Sequence, residues 1–243
     1  MTTPVPTPSG LMLIDKPLGP TSMRVCAAIR ARLHKGGAPK RVKVGHAGTL
    51  DPRATGLLII LVGKATRLCS VFMGGEKEYH AAIDLSARST TDDAEGNLTP
   101  VDVGTPPTRA RIERVIAEGF IGEIMQAPPA FSAVHIDGQR AYRMARRGEA
   151  PMLPARPVLV RTFKVESFEW PVLTAAITCG KGTYIRSLAR DLGTALGTGG
   201  MLRALRRTRI GAYRVDQAMT LDSMPGVLTQ ADLRPIPAES SGP

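Results

Sequence analysis

The sequence predicts an α+β fold, in which a mixed, largely antiparallel central sheet is flanked by helices and loops. Three observations point there. Short apolar or alternating runs read as strands, and stretches with apolar residues every three or four positions read as helices. The two kinds mix irregularly, with no repeating strand–helix–strand unit. The 243 residues suit one large domain, or one domain with an appendage.

Residues 1–9 are rich in Pro, Thr and Ser, which predicts a disordered tail. Leu11 to Ile14 is a short buried strand, and Lys16-Pro17-Leu18-Gly19-Pro20 a turn. Thr21 or Ser22 caps a helix whose apolar stripe is Val25, Ile29 and Leu33. Val42 to Val44 is a short strand, Gly45 to Thr55 a loop, and Leu57 to Val62 a buried strand. From Glu78 to Leu85 the pattern alternates, so Tyr79, Ala81, Ile83 and Leu85 share one face. The run SARSTTDDAEGN is a polar loop. Thr108 to Phe120 is a helix with Ile112, Val115 and Ile116 inward, and Gln139 to Arg147 a short basic helix. Val158 to Phe168 and Val172 to Cys179 are strands, and Ser187 to Leu196 is a helix. The expected organisation is the tail over 1–9, a main domain over 10–222 and a short extension over 223–243.

Lys and Arg number 32 against 21 Asp and Glu, a formal charge of +11. A chain this basic suits a polyanionic partner, with nucleic acid first. Cys26, Cys69 and Cys179 are far apart and form no CxxC pair, so neither a disulfide framework nor a structural zinc site is expected. They read as small buried thiols in a reducing compartment. His34, His46, His80 and His135 form no metal-binding spacing. The longest apolar run, Leu57 to Val62, is far short of the ~20 residues a membrane helix needs. The N-terminus lacks the pattern of a secretory signal, and the expected location is the cytoplasm.

Four features bear on chemistry. In Gly45-His46-Ala47-Gly48-Thr49-Leu50-Asp51-Pro52, the glycines allow a tight loop, and Pro52 biases Asp51 toward an extended conformation. A carboxylate held there is a candidate nucleophile or base. Read alone, such an Asp-Pro is more commonly a turn. Gly180-Lys181-Gly182-Thr183-Tyr184-Ile185-Arg186 follows a strand and precedes a helix, but lacks the spacing of a nucleotide-binding loop. It suits contact with RNA phosphate, and Arg186 is a natural partner for a carboxylate. Tyr79 is either core or a platform for an extruded base. Basic clusters occur at Lys40, Arg41 and Lys43, at Arg140, Arg143, Arg146 and Arg147, and at Arg203, Arg206, Arg207 and Arg209. Together they read as RNA contacts.

These residues sit in a larger pattern. The chain resembles the TruB family of bacterial tRNA pseudouridine-55 synthases. The run GHAGTLDPRATGLLIILVGKATR is similar to that family's catalytic motif. The runs LMLIDKPLGPTS, EKEYHAAIDL, QAPPAFSAVHIDGQRAYRMAR, CGKGTYIRSLARDLG and LRALRRTRIG resemble its other motifs, in the family's order. The resemblance spans roughly residues 11 to 222. It implies the pseudouridine synthase catalytic fold over 10–222. It makes Asp51 the catalytic aspartate and Tyr79 the tyrosine that stacks on the target base and acts as a base toward a ribose proton. Arg186 becomes the aspartate's partner, and Tyr184 and Leu205 become pocket residues around the uracil. His46 becomes the residue that engages the flipped-out region of the T-loop. Lys16 and Pro17 match a motif with a mainly structural role.

The implied partner is the T-arm of tRNA. Neither a cofactor, a metal, a membrane nor an obligatory protein partner is expected, and the expected state is a monomer. Two positions depart from the family's pattern: His135 stands where Lys is common, and Phe131 where Tyr is usual. Family members often carry a C-terminal RNA-binding PUA domain; here the chain ends soon after Leu233, and the expectation is tRNA binding without one. Two other readings are a synthase acting on another RNA and a non-catalytic tRNA-binding or folding protein. The intact GHAGTLDP, Tyr79 and Arg186 set favours an enzyme.

Overall fold

The computed structural model describes residues 6–132, 135–136, 139–149 and 153–236. The described residues form two compact units, one within residues 1–77 and 206–243, the other within 78–205. The first unit holds β1 (Gly10–Lys16), α1 (Ser22–Lys35), β2 (Val44–His46), β3 (Ala54–Val62) and α2 (Cys69–Gly74). β4 (Lys77–Asp84) carries the chain into the second unit. There follow β5 (Ala87–Ser89), β6 (Leu98–Pro100), α3 (Arg109–Gly119), β7 (Gly122–Gln126), β8 (His135–Ile136), β9 (Gln139–Arg140) and α4 (Ala141–Arg146). Then come β10 (Arg156–Glu169), β11 (Val172–Cys179) and α5 (Ile185–Leu196). β12 (Met201–Ile210) starts in the second unit and ends in the first, where β13 (Tyr213–Arg214) and β14 (Met219–Thr220) follow. The strand pairings are mostly antiparallel, as the α+β reading expects. Among the described residues, no helix is long and apolar enough to cross a membrane.

In the first unit β1 runs antiparallel to β3, with Gly10 opposite Val62 and Lys16 opposite Gly56. β2 pairs antiparallel with β3, and β14 lies parallel to β1. Leu11, Leu13, Leu57, Ile59 and Leu61 build one core with Ala47, Ala65, Phe72 and Ile210. Alternation sends Met12, Ile14, Leu58 and Ile60 to the opposite face, where they are buried too. A strand covered on both faces is written as an unbroken apolar run, which explains LLIILV. Each such side chain contributes about 1.5–3 kcal/mol on burial.

Thr21 is the cap of α1: its hydroxyl accepts from Arg24 N at 3.1 Å. Ser22, the other candidate, turns its hydroxyl inward. Residues 223–236 pack onto this unit. Leu228 and Leu233 are buried, and Leu11 and Arg234 exchange two backbone hydrogen bonds of 2.9 Å.

The second unit orders its strands β4-β11-β10-β7. Tyr79, Ala81, Ile83 and Leu85 of β4 face a core that includes Ile112 and Ile116 of α3 and Leu188 and Leu192 of α5. The alternation read from sequence is thus realised. α3 is capped by Thr108, whose hydroxyl accepts from Arg111 N at 3.2 Å.

Three expectations need correction, and one strand had no counterpart in the sequence reading. β3 begins at Ala54 and β2 reaches His46, so the loop expected over 45–55 is shorter. The polar run at 86–97 contains β5, which pairs with β6. The helix expected over 139–147 begins only after β9. β12 was not anticipated, because MLRALRRTRI has no apolar alternation.

Gly56 lies at φ +101°, and a Cβ there would sit 2.2 Å from Arg207 O on β12. Gly56→Ala is therefore expected to destabilise the protein by about 1–3 kcal/mol from backbone strain alone, with the clash in addition. Gly104→Ala is the control, since among the described residues nothing lies within 4 Å of a Cβ there. Equal urea midpoints for the two variants would refute the close β3–β12 approach.

Candidate active site

The segment 47–53 joins β2 to β3, and its backbone is pinned along its length. Ala47 N donates to Ile59 O at 2.9 Å, and Asp51 O accepts from Ala54 N at 3.0 Å. The Ser22 hydroxyl donates to Leu50 O at 2.8 Å and accepts from Leu50 N at 2.9 Å. This pair, buried at the start of α1, fixes the residue before Asp51. Pro52 O accepts from Gly19 N at 2.9 Å.

Two buried cations add to this. Lys16, fully buried, donates through Nζ to Pro17 O and Pro20 O at 3.0 Å and lies 3.5 Å from Pro52 O. Arg207, 2% exposed, donates from Nε to Leu57 O at 2.8 Å, from Nη2 to Gly48 O at 3.0 Å and from Nη1 to Thr49 O at 3.4 Å. Gly48 adopts φ +102°, a conformation that suits glycine. Asp51 itself is half-buried.

Burial pushes the Lys16 ammonium down to about 8; Asp51 opposes that shift and Arg207 reinforces it. His46 is also pushed down, first by burial and then by repulsion from Arg207. Its imidazole is therefore neutral at neutral pH, and among the described residues its buried Nδ1 has no hydrogen-bond partner. In this unit Asp51 thus lies within the braced segment, and His46 immediately before it.

In the second unit Tyr79 is buried in the core, and Leu205 packs against the same core. Tyr184 precedes the first turn of α5. Its N–H donates to Gln126 Oε1 at 2.8 Å, and its carbonyl accepts from Gln126 Nε2 at 3.1 Å. The Arg156 guanidinium lies over the Tyr184 ring, 5.6 Å from its centroid, and donates to Gly182 O at 3.1 Å. Arg186 is buried in the first turn of α5, so the helix starts earlier than the sequence suggested. A cation at a helix N-terminus opposes the helix dipole. Here Nη1 donates to Thr91 O at 3.1 Å and Nη2 to Phe131 O at 3.0 Å, while Nε lies 3.7 Å from Asp93 Oδ2. Asp93 is itself buried and accepts from Thr91 Oγ1 at 2.6 Å.

The basic clusters divide. Lys40, Arg41 and Lys43 are exposed, as RNA contact requires. The cluster on β12 is largely spent on structure. Arg207 is buried, Arg206 pairs with Asp15 at 2.7 Å and Arg209 with Glu76 at 2.7 Å. Only Arg203 of that set is exposed. Arg147 pairs with Glu149 at 2.8 Å. The side chains of Arg140, Arg143, Arg146 and His135 lie outside the described residues; Phe131 is half-buried. Sequence reading missed Ser22 as a loop clamp, and also Gln126 and Asp93, because each acts through a partner distant in the chain.

Known proteins share this architecture. The chain resembles a solved Cbf5-Nop10-Gar1 complex, with 33% identity and a TM-score of 0.66 over 88% of this chain and 52% of that one. A structure of an H/ACA RNP bound to a substrate RNA containing 2'-deoxyuridine gives 31% identity and a TM-score of 0.63, covering 88% of this chain and 51% of that one. The chain spans about half the length of these solved chains. Fold and motifs together define a pseudouridine synthase.

The chain belongs to the TruB family. Residues 37–185 match the TruB family pseudouridylate synthase N-terminal domain, and residues 186–234 the tRNA pseudouridylate synthase B C-terminal domain. The tRNA pseudouridine synthase B of Streptomyces griseus is 44% identical over 94% of this chain and 77% of its own length. That of Leifsonia xyli is 50% identical over 89% of this chain and 72% of its own.

Lys16 gives the site a pH signature. Its folded value of about 8 lies below its ordinary 10.5, so between these the unfolded chain binds more protons. Lys16's contribution to stability therefore rises with pH across that window and is least favourable below it. Urea unfolding at pH 8, 9 and 10 is expected to show a more positive stability slope for the wild type than for Lys16→Met. Identical slopes would refute the burial of a charged Lys16.

Proposed function

We propose that this chain isomerises uridine 55 in the T-loop of tRNA to pseudouridine, with Asp51 as the catalytic carboxylate. The observation that carries the reading is Asp51 on a loop braced from both sides, within the segment that matches the family's synthase domain. The reaction breaks the N1–C1′ bond, turns the uracil and forms a C5–C1′ bond. The proton leaves C5 and one is taken up at N1, so nothing is oxidised and no group is donated. Holding a detached base beside an activated sugar needs a fixed carboxylate, whether it bonds to the nucleotide or stabilises charge at C1′.

The other roles follow the family's pattern. Tyr79 stacks on the base and serves as a base toward a ribose proton. Arg186 partners the aspartate, Tyr184 and Leu205 flank the uracil, and neutral His46 engages the T-loop. The target base must be extruded to reach them. Exposed Lys40, Arg41 and Lys43, which lead into the loop, supply phosphate contacts. With tRNA as substrate, the cytoplasm is the place of action.

Incubation of unmodified tRNA transcript with the purified chain is expected to yield one new pseudouridine, at position 55. Asp51→Asn should abolish it while tRNA affinity stays within a few-fold. Product at another position would overturn the target; product from Asp51→Asn would overturn the role of the carboxylate. Affinity should also fall steeply with salt. Replacing Lys40, Arg41 and Lys43 together by Gln should flatten the log–log slope by about one for each phosphate left without its cation. An unchanged slope would remove that surface from the RNA interface.

A further inference from the structure

Arg207 is a buried charge that the proposed chemistry leaves unused. A guanidinium is always protonated, and burying one is unfavourable unless its donors are satisfied. Arg206 and Arg209 on the same strand meet carboxylates at the half-exposed surface. Arg207 is different: among the described residues its hydrogen bonds go to main-chain carbonyls.

Those carbonyls come from two places. Leu57 O belongs to β3, whose side chains form the unit's core. Gly48 O and Thr49 O belong to the loop just ahead of Asp51. One rigid fork therefore ties the loop to the core strand. The origin of the fork is fixed as well, because the Arg207 backbone presses against Gly56 so closely that a Cβ there would lie 2.2 Å from Arg207 O. A lysine has one donor nitrogen and cannot span both sets of carbonyls in this way.

We infer that Arg207 is a positioning residue for Asp51, acting through the carbonyls of Gly48 and Thr49. The inference rests on the reading of Asp51 as the catalytic carboxylate. Displacement of a reacting group by about 1 Å lowers rates on the order of a hundredfold. Loss of the fork should therefore act on the chemical step more than on tRNA binding.

The test compares wild type, Arg207→Lys, Arg207→Ala and Asp51→Asn. For each, tRNA affinity, folded fraction by thermal unfolding, and the single-turnover rate on saturating unmodified tRNA are measured. Arg207→Lys and Arg207→Ala are expected to bind tRNA within about threefold of wild type. Their rate per folded molecule should fall on the order of a hundredfold. Millimolar ethylguanidinium, which refills the space left by Arg207→Ala, should restore at least about tenfold of that rate, and should do nothing for Asp51→Asn.

A wild-type rate per folded Arg207→Lys molecule, with Asp51→Asn inactive, overturns the inference alone. A loss confined to tRNA affinity or to folded yield also overturns it, as does a complete failure of both Arg207 variants to fold, which makes Arg207 a requirement of the fold. Product from Asp51→Asn overturns the catalytic reading instead.

Discussion

The first unit depends on one kind of contact, a buried cation bound to main-chain carbonyls. A loop of seven residues between two strands has few backbone partners of its own, and carbonyls left unpaired in a partly buried site are costly. Lys16 and Arg207 supply the missing donors from opposite flanks, Lys16 from the end of β1 and Arg207 from the middle of β12. Ser22 completes the brace from the first residue of α1. Three elements that never neighbour the loop in sequence thereby fix its path. Removing one member of such a set leaves buried polar groups unsatisfied, which is why these contacts are strongly destabilising to lose.

The second unit solves a similar problem with different means. Arg186 stands in the first turn of α5, where the helix dipole disfavours a cation. Two carbonyls and the nearby Asp93 carboxylate offset that, and Asp93 is in turn held by Thr91 and by Glu95 N. Tyr184 is fixed on either side of its peptide by Gln126, so the start of α5 is set by a side chain on β7 rather than by a capping residue of its own. Each unit thus sets the place of a side chain by holding the backbone next to it.

Much of this was legible in the sequence, and the illegible part has a common cause. The apolar run of β3 and the alternation of β4 are direct prints of burial, so the cores and the inward turn of Tyr79 could be read. Thr21 was legible as one of two candidate caps of α1 because capping is local. β12 was not. Its sequence carries Arg203, Arg206, Arg207 and Arg209, and a strand that buries an arginine loses the apolar period that marks strands. Arg207 looked like part of an RNA-binding cluster because nothing local distinguishes an arginine that finds carbonyl partners inside from one left in solvent. Its Leu57 partner lies 150 positions away. The motif letters of the loop named Asp51, but not what holds it.

The same division bears on how charge serves this protein. A net charge of +11 invites the view that the basic residues face RNA. The β12 arginines show otherwise: one is buried on carbonyls and two are paired with acids. The positive field at the surface comes from fewer groups than the composition counts, and in the first unit Lys40, Arg41 and Lys43 are exposed, just ahead of β2 in the sequence. Inside, Arg207 acts in the opposite sense, since its charge helps push His46 toward the neutral form. A neutral imidazole can offer a hydrogen bond to a base or sugar without attracting a phosphate. On the proposed reading, the buried cation and the surface cations therefore separate two tasks, with phosphate held outside and nucleobase contact made beside the aspartate.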